Sequence, residues 1–407
     1  MQAQRLRIAV IGGGIGGLTL ALALQQRGIA ADVYEQAPHL AEIGAAVALS
    51  ANSTRELRRL GVLDAITAAS TEPTELIYRS WQDGRRIAAH PVRNGLRYQQ
   101  RFGAPYYGIH RADLQRILST ALGGAGLHFG HRLCAMTDQG EAIALEFNNG
   151  KSVEADLVIG ADGVRSIIRE WVTGGEGVTY SGTSALRGIV PASQLPTLPD
   201  PQAIQFWMGP NAHLLHYAIG GGGEDVNYFA VIEGPAAWQD RGSIGEIDPN
   251  KAMEAFKGWH PAVTEMIAAA PHHRLWGLFV VRPLLQWRRG RALLLGDAAH
   301  AMVPHHGQGA NTTVEDAITL AELLAGTTAS GLEAMMAHYQ SLRRARTRKI
   351  QRSSWATNAL LHLPDGPAIA ARDSKLAAFP EDFAWIHEFD ALQTARSAQP
   401  AGMALAG

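Results

Sequence analysis

Between an apolar run, Arg7 to Ile11, and a helical pattern carrying Leu18, Leu20, Leu22 and Leu24, the chain places Gly12, Gly14 and Gly17 in the spacing G-x-G-x-x-G. No other feature narrows the fold as much. The tight turn needs a residue that tolerates positive φ, a phosphate needs close approach to bare backbone, and the helix N-terminus supplies unpaired N–H groups and positive dipole. Ala30 to Glu35 reads as a second strand, which closes a βαβ unit. Glu35 falls 23 residues beyond Gly12, at the strand end where an acidic side chain accepts both hydroxyls of an adenosine ribose. The pattern predicts one dinucleotide fold without choosing between NAD and FAD. The stretch Ile8 to Gln26 is uncharged and follows Arg5 and Arg7, as in a signal peptide or membrane span. Glycines at 12, 13, 14, 16 and 17 are poor material for a helix in lipid, so neither is expected.

Cysteine usage removes whole classes of chemistry. Cys134 stands alone in 407 residues, which excludes an intramolecular disulfide, a zinc ribbon, an Fe–S ligand set and a dithiol redox pair. Redox chemistry therefore falls to a bound cofactor, and the composition suits a reducing cytoplasm. The 36 basic and 37 acidic residues create no overall field for nucleic acid or an anionic membrane. The run Arg343, Arg344, Arg346, Arg348, Lys349 and Arg352 has no aromatic interleaving beyond Trp355 and is expected to form a solvated helix face.

Along the chain, Asn52 is expected to cap a helix that Gly61 stops, and Arg111 to Leu122 reads as a helix ended by Gly123, Gly124 and Gly126. Leu157 to Ile159 is a buried-strand candidate. From Ser184 to Ile232 four runs read as successive antiparallel strands, and Gly220 to Gly223 is a hairpin loop between two of them. Helical material follows from Pro249 to Ala270, strands at Leu275 to Val280 and Arg291 to Leu295, then helices from Gly309 and from Leu332 to Leu361. Pro364 and Pro367 interrupt the tail, which is expected to fray after Gln393. This order predicts an α/β chain: a discontinuous Rossmann-like nucleotide domain (1–75, 100–180, 285–330), an inserted antiparallel-sheet substrate domain (76–99, 181–284) and a C-terminal helical segment (331–407).

Gly296-Asp297-Ala298-Ala299-His300 follows the apolar strand, and Pro304, Gly307, Gly309 and Asn311 place another helix N-terminus close behind it. An Asp at a strand's C-terminal edge can accept a ribityl hydroxyl of a flavin, and the helix end can stabilise negative charge on the reduced ring. Glu315 and Asp316 are expected to serve the dipole of that helix and nothing else. His300, His305 and His306 have no carboxylate or cysteine at ligand spacing, so no metal site is expected.

Together with Gly160-Ala161-Asp162-Gly163, Arg165 and Ser166, these segments resemble the class A flavoprotein aromatic hydroxylases, over most of the chain. The resemblance is nearest to the single-component hydroxylases of salicylate, 3-hydroxybenzoate and 6-hydroxynicotinate. It implies bound FAD, with NADH or NADPH and O2 as co-substrates. Gly12, Gly14, Ile15, Gly16 and Gly17 would then hold the pyrophosphate, Glu35 and Gln36 the adenosine end, Arg111 the chain and Asp297 the ribityl group. Backbone at Val47, Leu133, Gly309, Ala310 and Asn311 would complete the cradle, and Asp162 would support flavin and nicotinamide.

His213 and Tyr217 share one face of a predicted strand, with His216 on the other. The resemblance implies that His213 and Tyr217 face the aromatic substrate, with His305 near its ring. The implied reaction hydroxylates a small phenolic or hydroxy-N-heteroaromatic acid through a flavin C4a-hydroperoxide, with or without loss of CO2. His213 or His305 would take the phenolic proton. A flavin monooxygenase of a larger quinolone- or polyketide-like substrate and a non-catalytic FAD-binding protein stay open as alternatives. So do the choice of NADH or NADPH, the oligomeric state and the direction in which Arg187 points.

Overall fold

The computed structural model describes residues 5–40, 46–239, 242–270 and 274–398. The glycine fingerprint sits where a parallel sheet begins. Strands run in the order Arg288–Arg289, Ala292–Leu294, Leu157–Gly160, Ile8–Ile11, Asp32–Tyr34, Leu127–His128, all parallel except the first pair. Ile8–Ile11 is buried throughout because neighbouring strands and the helix Ile15–Gln25 cover it. The uncharged N-terminal stretch is thus a central strand and its crossover helix. No helix among the described residues is long and apolar enough to cross a membrane.

The larger sheet has eight strands, in the order Ile244–Glu246, Arg274–Val280, Thr179–Pro191, Asp225–Glu233, Ala212–Ile219, Ile204–Gly209, Glu75–Ser80, Arg86–Pro91. The four strands read from Ser184 to Ile232 are all there, but Ile204–Gly209 pairs in parallel with Glu75–Ser80, a register no local pattern announces. One face packs on the helices Pro249–Glu254 and Pro261–Ala268 through Trp207, Leu214, Tyr228 and Phe256. The helical material expected from Pro249 to Ala270 forms these two helices, with Gly258 at φ +79° between them. The opposite face turns toward the nucleotide sheet and carries the site.

Four further expectations are corrected. Ser50, not Asn52, stands at the helix start, Ala51–Arg59; Asn52 is buried and its amide donates to Glu315 at 2.6 Å. The tail continues as Ala368–Asp382, Ala384–His387 and Ala391–Ser397; the last packs on Gly309–Leu324, and Asp390 caps it by accepting from Gln393 N–H. Residues 399–407 lie outside the described residues. Finally, the basic run on the helix Leu332–Leu361 is not all solvated. Arg343 is 1% exposed and bonds Asp316 and Glu315 at 2.6 and 2.7 Å, while Arg346 pairs with Glu315 at 2.7 Å. Glu315 and Asp316 lie in the second turn of their helix, too deep to serve its dipole, and instead lock two helices together.

Candidate active site

The fingerprint is crowded on one side and open on the other. Gly12 has φ +112°, and a Cβ there would lie 2.3 Å from the Ala161 carbonyl; a Cβ at Gly17 would lie 2.0 Å from the Gly12 carbonyl. At Gly14 nothing lies within 4 Å, so the first turn of the helix opening at Ile15 and Gly16 presents unpaired N–H groups to free space. Glu35 borders this mouth, its carboxylate accepting from Gly13 N–H at 2.7 Å and Ala37 N–H at 2.8 Å, with Gln36 exposed beside it. Gly12, Glu35, Asp162 and Asp297 each follow their strand of the parallel sheet, which puts them on its C-terminal edge, where open α/β sheets bind ligands.

Asp297 is exposed among buried neighbours, and Arg111 is exposed at the start of the helix Arg111–Leu122. Neither forms an ion pair among the described residues. Gly309, Ala310 and Asn311 open the helix Gly309–Leu324, which has no side-chain cap. The Asn311 side chain is a brace: Oδ1 accepts from Ser50 N–H and Nδ2 donates to Ala48 O, tying the helix to the strand Ala46–Leu49 that carries Val47. Leu133 is buried at the start of the strand Leu133–Asp138. Asp162 is occupied locally, accepting from Ser166 Oγ at 2.5 Å and Ile167 N–H at 2.8 Å, so its carboxylate caps a helix. An open mouth at Gly14, an acid at the second strand's end and an exposed carboxylate at Asp297 fit FAD.

Beside Ala48 and Gly307 lies a cavity of about 390 Å³. Its sheet wall is Tyr78, Phe206, Leu215 and Tyr217; its other walls include Tyr98, Phe102, Tyr106, Phe379, Phe383 and His387. Gly108 makes room for Tyr217, whose ring would lie 2.8 Å from a Cβ there. Arg97 and Arg101 stand in the lining; Arg101 is paired with Glu381 from outside it, whereas Arg97 forms no ion pair among the described residues. His305 lines the cavity, is buried, and neither ring nitrogen has a partner among the described residues. His213 does not line it: it stands behind His305, the two rings edge to face at 5.1 Å, and is hydrogen-bonded to His362 at 2.7 Å. His216 lies on the opposite face against Trp207. His300 is turned away, bonded to Asp316, so it does not join His305 and His306.

Burial, then the neighbouring His305 and His362, pushes His213 well below the ordinary histidine range; burial, then His362 and His306, does the same to His305. Both rings are therefore neutral at pH 7, the form that accepts a proton. Arg187 shares the sheet face of Tyr217 but stops short of the cavity, its guanidinium packed on Phe229 and Trp276 at 5.3 and 4.9 Å. Sequence reasoning missed His362 and the cavity walls supplied by residues 76–106 and 379–387. The only local signal was the density of aromatic and histidine residues from Phe379 to His387.

The FAD binding domain family matches residues 5–354. The 3-amino-4-hydroxybenzoate 2-monooxygenase of Streptomyces cremeus is 38% identical over 384 residues, 94% of this chain and 95% of that enzyme. The 6-hydroxynicotinate 3-monooxygenase of Pseudomonas fluorescens is 35% identical over 353 residues, 86% of this chain and 91% of that one. Among solved structures, a salicylate hydroxylase substrate complex superposes with a TM-score of 0.84 at 28% identity, covering 98% of this chain and 99% of that one. Dinucleotide edge, flavin-side helix and aromatic cavity thus agree with shared ancestry: the chain belongs to the FAD binding domain family and is a class A FAD-dependent aromatic monooxygenase.

Proposed function

We propose that the enzyme hydroxylates a small phenolic or hydroxy-N-heteroaromatic carboxylic acid, consuming NADH or NADPH and O2. The observation that carries this reading is the cavity: aromatic walls, Arg97 with no ion pair among the described residues, and an imidazole, His305, with both nitrogens unpartnered among those residues. Unlike His216 on the far sheet face, His305 opens onto the cavity, where a hydroxyl-bearing ligand can meet its free nitrogens. The relatives named above act on an aminohydroxybenzoate and a hydroxynicotinate, in keeping with such an acid.

In this reading Gly12 to Gly17 hold the FAD pyrophosphate, Glu35 and Gln36 its adenosine end, Arg111 and Asp297 its chain. Backbone at Val47, Leu133, Gly309, Ala310 and Asn311 completes the cradle, with the Asp162 turn beside it. Bound there and reduced, FAD would supply an electrophilic oxygen from O2, toward which a phenolate is more reactive than a phenol. His305, backed by His213, takes the hydroxyl proton; Tyr217 orients the ring. The aromatic walls exclude water that would divert the oxygen to H2O2. Sheet membership supports the division into nucleotide and substrate domains at the boundaries given above, and the single, free Cys134 supports a cytoplasmic location.

The test is substrate-stimulated NADH and NADPH oxidation with product identification, across 3-amino-4-hydroxybenzoate, 6-hydroxynicotinate, salicylate, 3-hydroxybenzoate and a quinolone. Stimulation by a small acid with one oxygen added to the product is expected. Stimulation by the quinolone alone, or a yellow protein that no compound stimulates, overturns the proposal.

A further inference from the structure

Behind the cavity a line of side chains runs to the surface. His213 Nδ1 lies 2.7 Å from His362 Nε2, and His362 Nδ1 lies 2.9 Å from Glu233 Oε1. His213 and His362 are buried, while the Glu233 side chain is 53% exposed. The geometry is held by backbone as well. His362 ends the helix Leu332–Leu361; its carbonyl accepts from Asn211 N–H at 3.1 Å, and the Asn211 carbonyl accepts from Glu233 N–H at 3.2 Å. Asn211 turns the hairpin with φ +58°, a conformation asparagine tolerates better than most residues. One hairpin turn therefore sets both ends of the His362–Glu233 contact.

The three groups also set one another's protons. A carboxylate only accepts, so His362 must carry its proton on Nδ1 and present a lone pair at Nε2. That lone pair in turn requires the proton of His213 on Nδ1, which leaves His213 Nε2 as a free base. We infer that His213, His362 and Glu233 form a proton relay that carries the substrate's hydroxyl proton from the cavity to solvent. The inference rests on the proposed phenolic substrate for its use, not for its existence.

The steps balance without another reactant. The substrate O–H bond breaks and its proton goes to His305, which lines the cavity, then across the 5.1 Å ring contact to His213 Nε2 by a small rotation of either ring. The Nδ1 proton of His213 passes to His362 Nε2, the Nδ1 proton of His362 passes to Glu233, and Glu233 releases it to water. Burial disfavours an imidazolium on His213, on His305 and on His362, so a concerted hand-off, in which charge changes only at the two ends, the substrate oxygen becoming negative as the exposed carboxylate is neutralised, is the path of least cost. The charged and titratable groups facing this line are His305, His306 and Glu233. His305 is the group that touches substrate; His362 and Glu233 act through it as positioning and relay residues.

The test needs no substrate. In FAD-loaded enzyme labelled with 15N-histidine, His213 and His362 are expected as Nδ1–H tautomers at pH 7, the minority form of free imidazole. Glu233→Ala returns both toward Nε2–H and slows solvent exchange of the His213 proton about tenfold or more. Nε2–H tautomers in the parent enzyme, or tautomers and exchange unmoved by Glu233→Ala, overturn the relay. With a substrate from the panel, Glu233→Ala and His362→Gln lower kcat about tenfold with little change in KM, within the range general-base transfer supplies, and millimolar imidazole restores it. A fall in kcat that imidazole does not restore counts against the relay. A panel without a substrate overturns the proposed function alone, because the tautomer and exchange readings stand apart from it.

Discussion

Two buried polar clusters flank the segment between Pro304 and the helix Gly309–Leu324, and they are built on opposite principles. In one, Glu315 and Asp316 meet Arg343 and Arg346, with Asn52 and His300 completing their hydrogen bonds. Burial alone would raise these carboxyls, but the guanidinium groups and, for Asp316, His300 outweigh it and hold them below the usual range. In the other, His213, His305, His306 and His387 are neutral and His305 is left without a partner. The first cluster spends its polarity on holding helices together. The second leaves bonding capacity unused, which is what a ligand or a moving proton requires.

Breaking the charged cluster has the largest expected effect on stability. Arg343→Met removes the guanidinium shared by two buried carboxylates, leaving Arg346 to Glu315 and His300 to Asp316, and is expected to cost about 3–5 kcal/mol in urea unfolding, with cofactor content lost as the helix N-terminus shifts. His305→Asn should invert that outcome: stability changes by less than about 1 kcal/mol, because no protein hydrogen bond is lost, while kcat/KM falls about 100-fold or more. Equal losses of stability in the two variants would remove the distinction.

Acid separates the clusters by window. The histidines have folded pKa values below the unfolded value, His306 at about 4 and His387 at about 3, with burial as the main cause. The unfolded chain therefore binds more protons below pH ~6.5, so their contribution is full above that pH and drains away as pH falls toward the folded values. The carboxylates obey the same sign in a lower window, since their stabilisation is lost only below their unfolded pKa of about 4. Urea midpoints should thus fall from pH 6.5 downward, and His387→Phe should flatten that slope down to about pH 3, leaving the variant less acid-sensitive than the parent. The smallest effect is expected at His216, buried on the far sheet face with both nitrogens unpartnered and held at about 3 by burial and then Arg79. His216→Phe should change stability at pH 7 by less than about 1 kcal/mol and leave kcat/KM unaltered.

The nucleotide half was legible because its signals are local. Gly12 to Gly17, Glu35 and Asp297 each mark a strand end within a few residues of itself, and turn chemistry is decided by neighbours in sequence. The cavity was not legible for the opposite reason. Its sheet wall could be read at Tyr217 and Phe206 by alternation, but Tyr98, Phe379, Phe383 and His387 come from helices whose docking no short pattern encodes. The same holds for Arg343 and Arg346. On a helical wheel they look like a solvated face, and only the position of Glu315 and Asp316 on another helix makes them interior.

The sequence by itself determined a βαβ dinucleotide edge, one bound redox cofactor in place of thiol chemistry, and a sheet inserted between parts of that fold. These follow from φ-tolerant glycines, a single cysteine and strand periodicity, all properties of short stretches. Only the tertiary structure decided which histidine meets the cavity, that His213 stands behind it in contact with His362, and that Glu233 ends the line at the surface. Those facts depend on residues more than a hundred positions apart being brought to hydrogen-bond distance, and burial, which sets their protonation, exists only once the chain has packed.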